Sequence, residues 1–221
     1  MNFLEIAKRV RQEVGYSGTG PASVDAQVGA YAKVVDWVNT ALESIHLSRE
    51  QWRFDWHSWT APLTVCQEAY DMAQAWGLKV RALASDPVYV YRTTEGTKSR
   101  FFLSELSWED FRLMPSTGAT GIPSYFALSP DRKLHLHPAP DAGLTVVVDY
   151  YRAPQVLTAN TDVPRIPQQY HMAIVWQAVI YAAGHDENPG LMQMATKHFK
   201  DAMARMERTE LPEMGYWETL A

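Results

Sequence analysis

Cysteine is almost missing from this chain of 221 residues. The one thiol, Cys66, can close no intrachain disulfide and supports no multi-cysteine zinc site. That usage fits a reducing compartment. Long hydrophobic runs are missing too: no stretch approaches the roughly 18 apolar residues that suggest a membrane span. The first residues, M-N-F-L-E-I-A-K-R-V, interleave charges with apolar positions and do not read as a signal peptide. There is no basic excess. Twenty Lys and Arg stand against 25 Asp and Glu, a net charge of −5, whereas a protein that grips nucleic acid by its phosphates usually carries the opposite balance. A protein that merely lets DNA pass is not excluded. Neither Gly15–Gly20 nor Gly118–Gly121 ends in the Gly-Lys-Ser/Thr of a phosphate loop. No internal repeat or low-complexity segment is found.

What is present fits a globular protein with a core of its own: 47% hydrophobic and 20% charged residues. Eight tryptophans and eleven tyrosines are many for this length. Aromatics serve both cores and interfaces, so the count favours a subunit of an assembly.

Apolar spacing sets the expected organisation. Phe3, Ile6, Ala7, Val10 and Val14 recur as on a helix, which Gly15 ends. Ser23 is the expected N-cap of a second helix, whose stripe runs Val24, Val28, Tyr31, Val35, Val38, Leu42, Ile45. From Phe54 the period changes. Strands are expected at Trp56–Thr60, Leu63–Val65, Gly77–Leu83 and Pro123–Leu128. Val88–Arg92 and Ser99–Leu103 form a hairpin around Glu95-Gly96-Thr97. Ser107 caps a short helix through Met114. Leu134–His137 alternates as a half-buried strand does, Pro138 and Pro140 stop it, and Leu144–Tyr151 is expected to return as its hairpin partner. Asp162, Pro164 and Pro167 hold a stiff elbow. Pro167 opens a helix to Ala183 that is apolar on nearly every face, and Leu191, Ala195, Phe199, Ala202 and Met206 stripe a last one.

The predicted fold class is therefore α+β: a helical bundle of N- and C-terminal helices (1–52 and 154–208) around a β-rich antiparallel middle (53–153). An extended tail, 209–221, follows. That tail is too broken for a helix and too apolar for an indifferent end. Leu211, Met214, Tyr216, Trp217 and Leu220 are its candidate partner-binding residues.

The chain offers little to catalysis. His135 and His137 share a strand face and could both ligate a metal with a third group such as Asp141, but an exposed hairpin face is the simpler expectation. His171, beside Tyr170 after the elbow, reads as a hydrogen-bonding residue at a helix start. Cys66 has no orienting partner at a recognisable spacing, so a buried thiol is expected rather than a nucleophile. Glu105, Glu109 and Asp110 read as solvated helix residues. No catalytic residue, cofactor or metal is expected. Trp52, Trp56 and Trp59 raise the alternative of a small carbohydrate-binding module or hydrolase using the Trp-rich β region. However, Trp56 and Trp59 cannot share a face of a regular strand.

Two segments carry a resemblance. The first is V-V-D-W-V-N-x-A-L-x-x-I-H (Val34–His46) followed by W-R-F (Trp52–Phe54). The second is L-x-L-x-P-x-P-D, a strand ending D-Y-Y-R-A-P, then D-x-P-x-I-P-x-x-Y-H and an aliphatic helix (Leu134–Ala183). Their order and spacing resemble the head-to-tail adaptor proteins of tailed bacteriophages, related to tail tubular protein A of short-tailed phages. The resemblance implies a non-enzymatic virion protein at the head–tail junction, assembled in the host bacterial cytoplasm. Its expected partners are the portal protein, a tail nozzle or tail tube protein, and copies of itself in a dodecameric ring. Double-stranded DNA would pass through without sequence-specific binding, and no membrane is involved. The tail residues named above are the candidate portal contact.

Overall fold

Periodicity of 3.6 at the two ends of the chain and of two in the middle gives two kinds of packing. The computed structural model describes residues 1–84, 88–114 and 118–212. They divide into a helical unit, Met1–Asp55 with the chain from Pro154, and a β unit, Trp56–Ala153. In chain order the elements are α1 (Phe3–Val14), α2 (Ala30–Ser48), β1 (Trp56–Pro62), β2 (Ala69–Asp71), α3 (Met72–Trp76), β3 (Val80–Leu83), β4 (Tyr89–Arg92) and β5 (Arg100–Phe102). There follow β6 (Ser104–Glu105), α4 (Trp108–Phe111), β7 (Thr120–Gly121), β8 (Tyr125–Leu128), β9 (Lys133–His137), β10 (Ala139–Pro140), β11 (Leu144–Arg152), α5 (His171–His185) and α6 (Pro189–Glu210). The α+β class read from the sequence is the class observed.

In the helical unit, α5 packs against α1, α2 and α6, which explains why its apolar residues leave almost no polar face. Ile6, Val10, Val34, Val38, Leu42, Ile45, Trp52, Ile174 and Val179 form the middle of the core. Asn2 starts α1 with a capping box: its side chain accepts from the Glu5 N–H at 2.9 Å, and the Glu5 carboxylate accepts from the Asn2 N–H at 3.0 Å. The second helix begins six residues later than expected: its N-cap is Gly29, not Ser23. Ser23 caps nothing; its hydroxyl meets Asp25 and Asn160 instead. Gly29, at φ +61, turns the chain into α2. Val24 still reaches the core, through a turn, while Val28 is 82% exposed. At Pro167 a 3-10 turn over Gln168–Tyr170 intervenes, so α5 starts at His171. At the other end α6 continues to Glu210, two residues into the expected tail.

The β unit has two mainly antiparallel sheets closed over one core, and a third of two short strands, β7 and β10. The first runs β1–β11–β4–β5, with β3 also on β11; the second runs β2–β9–β8–β6. Among the described residues, only the two-residue pairings β6–β8 and β7–β10 are parallel. Val90, Val146, Val148 and Tyr150 of the first sheet share a core with Tyr70, Phe126, Leu134 and Leu136 of the second. The expected β4–β5 hairpin forms, with Val90 opposite Phe101. The expected β9–β11 hairpin does not. Proline at 138 and 140 removes two ladder donors, β10 joins β7 instead, and β11 enters the other sheet. The run Leu63–Val65 is loop and turn, and α3 precedes Gly77, begun by the Asp71 side chain, which accepts from the Ala73 and Gln74 N–H groups. Ser107 does cap α4, accepting from the Asp110 N–H, but that helix ends at Phe111.

Candidate interaction surfaces

The expected docking residues fall mostly beyond α6. Leu211 is its C-cap; the Leu211 N–H donates to Glu207 O at 3.2 Å, and its side chain packs against the helical core. Met214, Tyr216, Trp217 and Leu220 lie outside the described residues.

From Pro154 on, the second segment that carries the resemblance meets the first inside the helical unit; its earlier part, Leu134–Ala153, belongs to the β unit. Asn39 of α2 clamps the elbow from both sides: its amide donates to Leu157 O and its carbonyl accepts from Leu157 N–H, each at 3.0 Å. His46, at the end of α2, donates to Asp55 at 2.6 Å, with both side chains fully buried. Arg165 of the elbow reaches the other Asp55 oxygen at 3.3 Å. The Trp52 indole N–H donates to Ile45 O, and its ring stacks on Phe54. Asp162 accepts from the Thr158 and Ala159 N–H groups, and those donors hold its carboxyl below the usual range. The Gln155 carbonyl accepts from Arg165 N–H, while its amide donates to Val163 O. The sequence showed these residues but not their pairing, because the partners are far apart along the chain.

His171, His135 and His137 sit in packed surroundings. His171 is buried, with Nε2 donating to Ile166 O at 2.8 Å and Nδ1 2.8 Å from the Met1 nitrogen. Burial pushes its imidazole below the ordinary range. His135 and His137 are not on an open hairpin face: both are half-buried beside α4. Trp108 lies over His135 with ring centres 4.7 Å apart, and Phe111 meets both rings edge-on. Burial lowers the His135 pKa as well. Among the described residues no group of three or more His, Cys, Asp or Glu could hold a metal. Cys66 is exposed, not buried: it occupies a turn at φ +63 that carries its side chain outward. The tryptophans offer no common platform. Trp52 is wholly buried in the helical core, while Trp56 and Trp59 alternate across the regular β1 ladder.

Polar features also stand at the surface of the helical unit. At one, Lys33 donates to His185 Nε2 at 2.6 Å, His185 Nδ1 donates to Asp186, and Tyr16 donates to the other Asp186 oxygen at 2.6 Å. Burial and that carboxylate push the Tyr16 phenol up to about 12. Arg11 donates to Tyr16 O and Gly18 O, holding the intervening loop. Another feature is a groove of about 570 Å³ between α5 and α6, lined by the stacked rings of Trp176 and His198 and by Arg205 and Arg208.

No helix among the described residues is long and apolar enough to cross a membrane. No curated protein matches the chain. The family model described as SU10 adaptor protein matches residues 1–216, nearly the whole chain, including both helical ends and the β middle. The chain belongs to the SU10 adaptor protein family of bacteriophage structural adaptors.

Proposed function

We propose that the protein is the head-to-tail adaptor of a tailed bacteriophage. Copies form a ring, dodecameric as in the short-tailed-phage adaptors it resembles, between the portal and the tail nozzle or tail tube. The family match over residues 1–216 carries this reading. A ring needs two different complementary faces on each subunit, and the aromatic surplus of the chain supplies material for them. DNA slides through the ring without sequence-specific contact. Duplex DNA carries a charge about every 1.7 Å, and a subunit of net charge −5 discourages its capture. Membership in a structural adaptor family supports a non-enzymatic role in the virion. No observation favours the carbohydrate-binding alternative, since its three tryptophans share no surface.

The tail is the proposed portal contact, through Leu211, Met214, Tyr216, Trp217 and Leu220. Because α6 extends to Glu210, the deletion that tests this starts after Pro212. Removing residues 213–221 is expected to weaken co-sedimentation with the cognate portal while the helical circular dichroism stays unchanged. Undiminished co-sedimentation would refute the tail contact.

A further inference from the structure

Two helices of the helical unit turn matching stripes of opposite charge to solvent. On α2, the residues opposite the buried Val34, Val38, Leu42 and Ile45 are Asp36, Thr40, Glu43 and Leu47. On α6, those opposite the buried Ala195, Ala202 and Met206 are Gln193, Lys197, Lys200 and Ala204. Both stripes step i, i+4, i+7, i+11, the spacing of one helix face, and every residue in them is exposed. Leu47, a large apolar side chain, is 58% exposed. The α2 stripe carries two carboxylates and no cation; the α6 stripe carries two ammonium groups and no anion. Among the described residues, none of these four charged groups forms an ion pair. Lys33 and Asp201 flank the stripes, and Lys33 is already bonded to His185.

The stripes are also level. Lys33, near the start of α2, meets His185 at the end of α5, shortly before α6 begins. Arg49, at the end of α2, pairs with Glu207 near the end of α6 at 2.8 Å. The two helices therefore run in the same direction at the same height. Arg49 lies two residues past Leu47 and Glu207 three past Ala204, so the stripes match to within about one residue, or 1.5 Å. α5 packs against both helices, so the stripes look out from different sides of the bundle and do not meet within one chain.

We propose that the α2 stripe of one copy docks on the α6 stripe of the next, with the bundle standing along the axis of the ring. The pairing rests on the ring-forming role proposed above. Successive copies in a closed ring differ by a rotation about one axis. Rotation leaves height along that axis unchanged, so level stripes come together in register. Asp36 then faces Lys197, Glu43 faces Lys200, and Leu47 packs on Ala204, whose small side chain makes room for it. Each stripe is about 17 Å long. Alone it supplies only part of the roughly 1,200–2,000 Å² of a stable interface. Its charges select which faces meet and at what height, because complementary charges give specificity more than affinity.

Charge exchange between two variants of the full chain tests this. One carries Asp36→Lys with Glu43→Lys, the other Lys197→Glu with Lys200→Glu. All four positions are exposed, so both variants should keep the helical circular dichroism of the wild type. Ring formation is read by sedimentation velocity and negative stain, on the cognate portal if the free chain stays monomeric. Alone, each variant opposes like charges at every contact and should need about tenfold more protein to assemble. Mixed one to one, every contact between unlike chains is complementary again, and the mixture is expected to assemble at the wild-type concentration as an alternating ring. Assembly of either variant alone at the wild-type concentration, or no recovery in the mixture, would overturn the proposal and leave the ring standing. A wild type that forms no ring, free or on the portal, would overturn the ring itself and this pairing with it.

Discussion

In the helical unit, polar side chains tie together segments that are remote in sequence; in the β unit they mostly close turns a few residues long. Asn39 and Leu157 are 118 residues apart, and Ser23 and Asn160 are 137 apart. By contrast, Ser107 meets Asp110, Ser129 meets Asp131, and Tyr70 reaches back only to Thr64. The difference follows from topology. Antiparallel strands satisfy their backbone groups in the ladder, so the β unit needs side chains mainly where ladders end. The elbow of the helical unit has no ladder to join. Its backbone groups must find partners elsewhere or remain unsatisfied at a cost. The side chains of Asn39, Asp162 and Gln155 provide some, and the first N–H groups of α1 donate to Asn160 O and Asp162 O. The parts of the family-like segments that lie in the helical unit therefore code for an elbow and the helix that receives it.

The largest test of this contrast is Trp52→Ala. It removes a fully buried ring from the helical core and the hydrogen bond to Ile45 O. Removal of such a ring typically costs about 3–5 kcal/mol, readable in urea denaturation. Asn39→Ala should come next. It leaves the Leu157 N–H and C=O without their partners, and each unsatisfied buried group costs about 1–3 kcal/mol. Ser107→Ala, which removes only the cap of α4 in the β unit, should cost about 0.5–1 kcal/mol. If Ser107→Ala destabilised as much as Asn39→Ala, the contrast between remote and local ties would fail.

Acid sharpens the comparison with smaller effects. The Asp162 carboxyl is lowered by the Ala159 and Thr158 N–H groups. That of Asp131 is lowered to about 2 by Lys133 and Ser129. A carboxyl lowered in the folded state stabilises fully above its unfolded value of about 3.9, and that gain disappears as pH falls through the folded value. Asp162→Asn and Asp131→Asn should each lower Tm at pH 7, and each gap should narrow below about pH 4. A gap that stayed constant down to pH 2 would show that the charge is not what matters at that residue.

The sequence made some of this plain and hid the rest for physical reasons. The stripes of α1, α5 and α6 were readable because burial on a helix repeats in sequence. The α2 start lies later than the spacing implies: Val24 and Val28 continue the stripe, yet they sit in the turn and loop before Gly29, and the helix begins only at Ala30. The β9–β11 hairpin was misread because adjacent strands usually pair, whereas Pro138 and Pro140 send the chain from one sheet to the other. Exposure of Cys66 depended on a left-handed turn that composition does not announce. The residues of the elbow were in view from the start, but their partners were not. The α5–α6 groove was invisible: Trp176, His198 and Arg205 become neighbours only once two helices pack.

The central claim is that this chain is a ring-forming adaptor between portal and tail. The most direct measurement is the mass of the full chain, alone and mixed with its cognate portal, followed by negative-stain imaging of the mixture. A ring, either preformed or assembled from monomers on the portal, is the predicted result. A persistent monomer with no affinity for the portal would contradict the account.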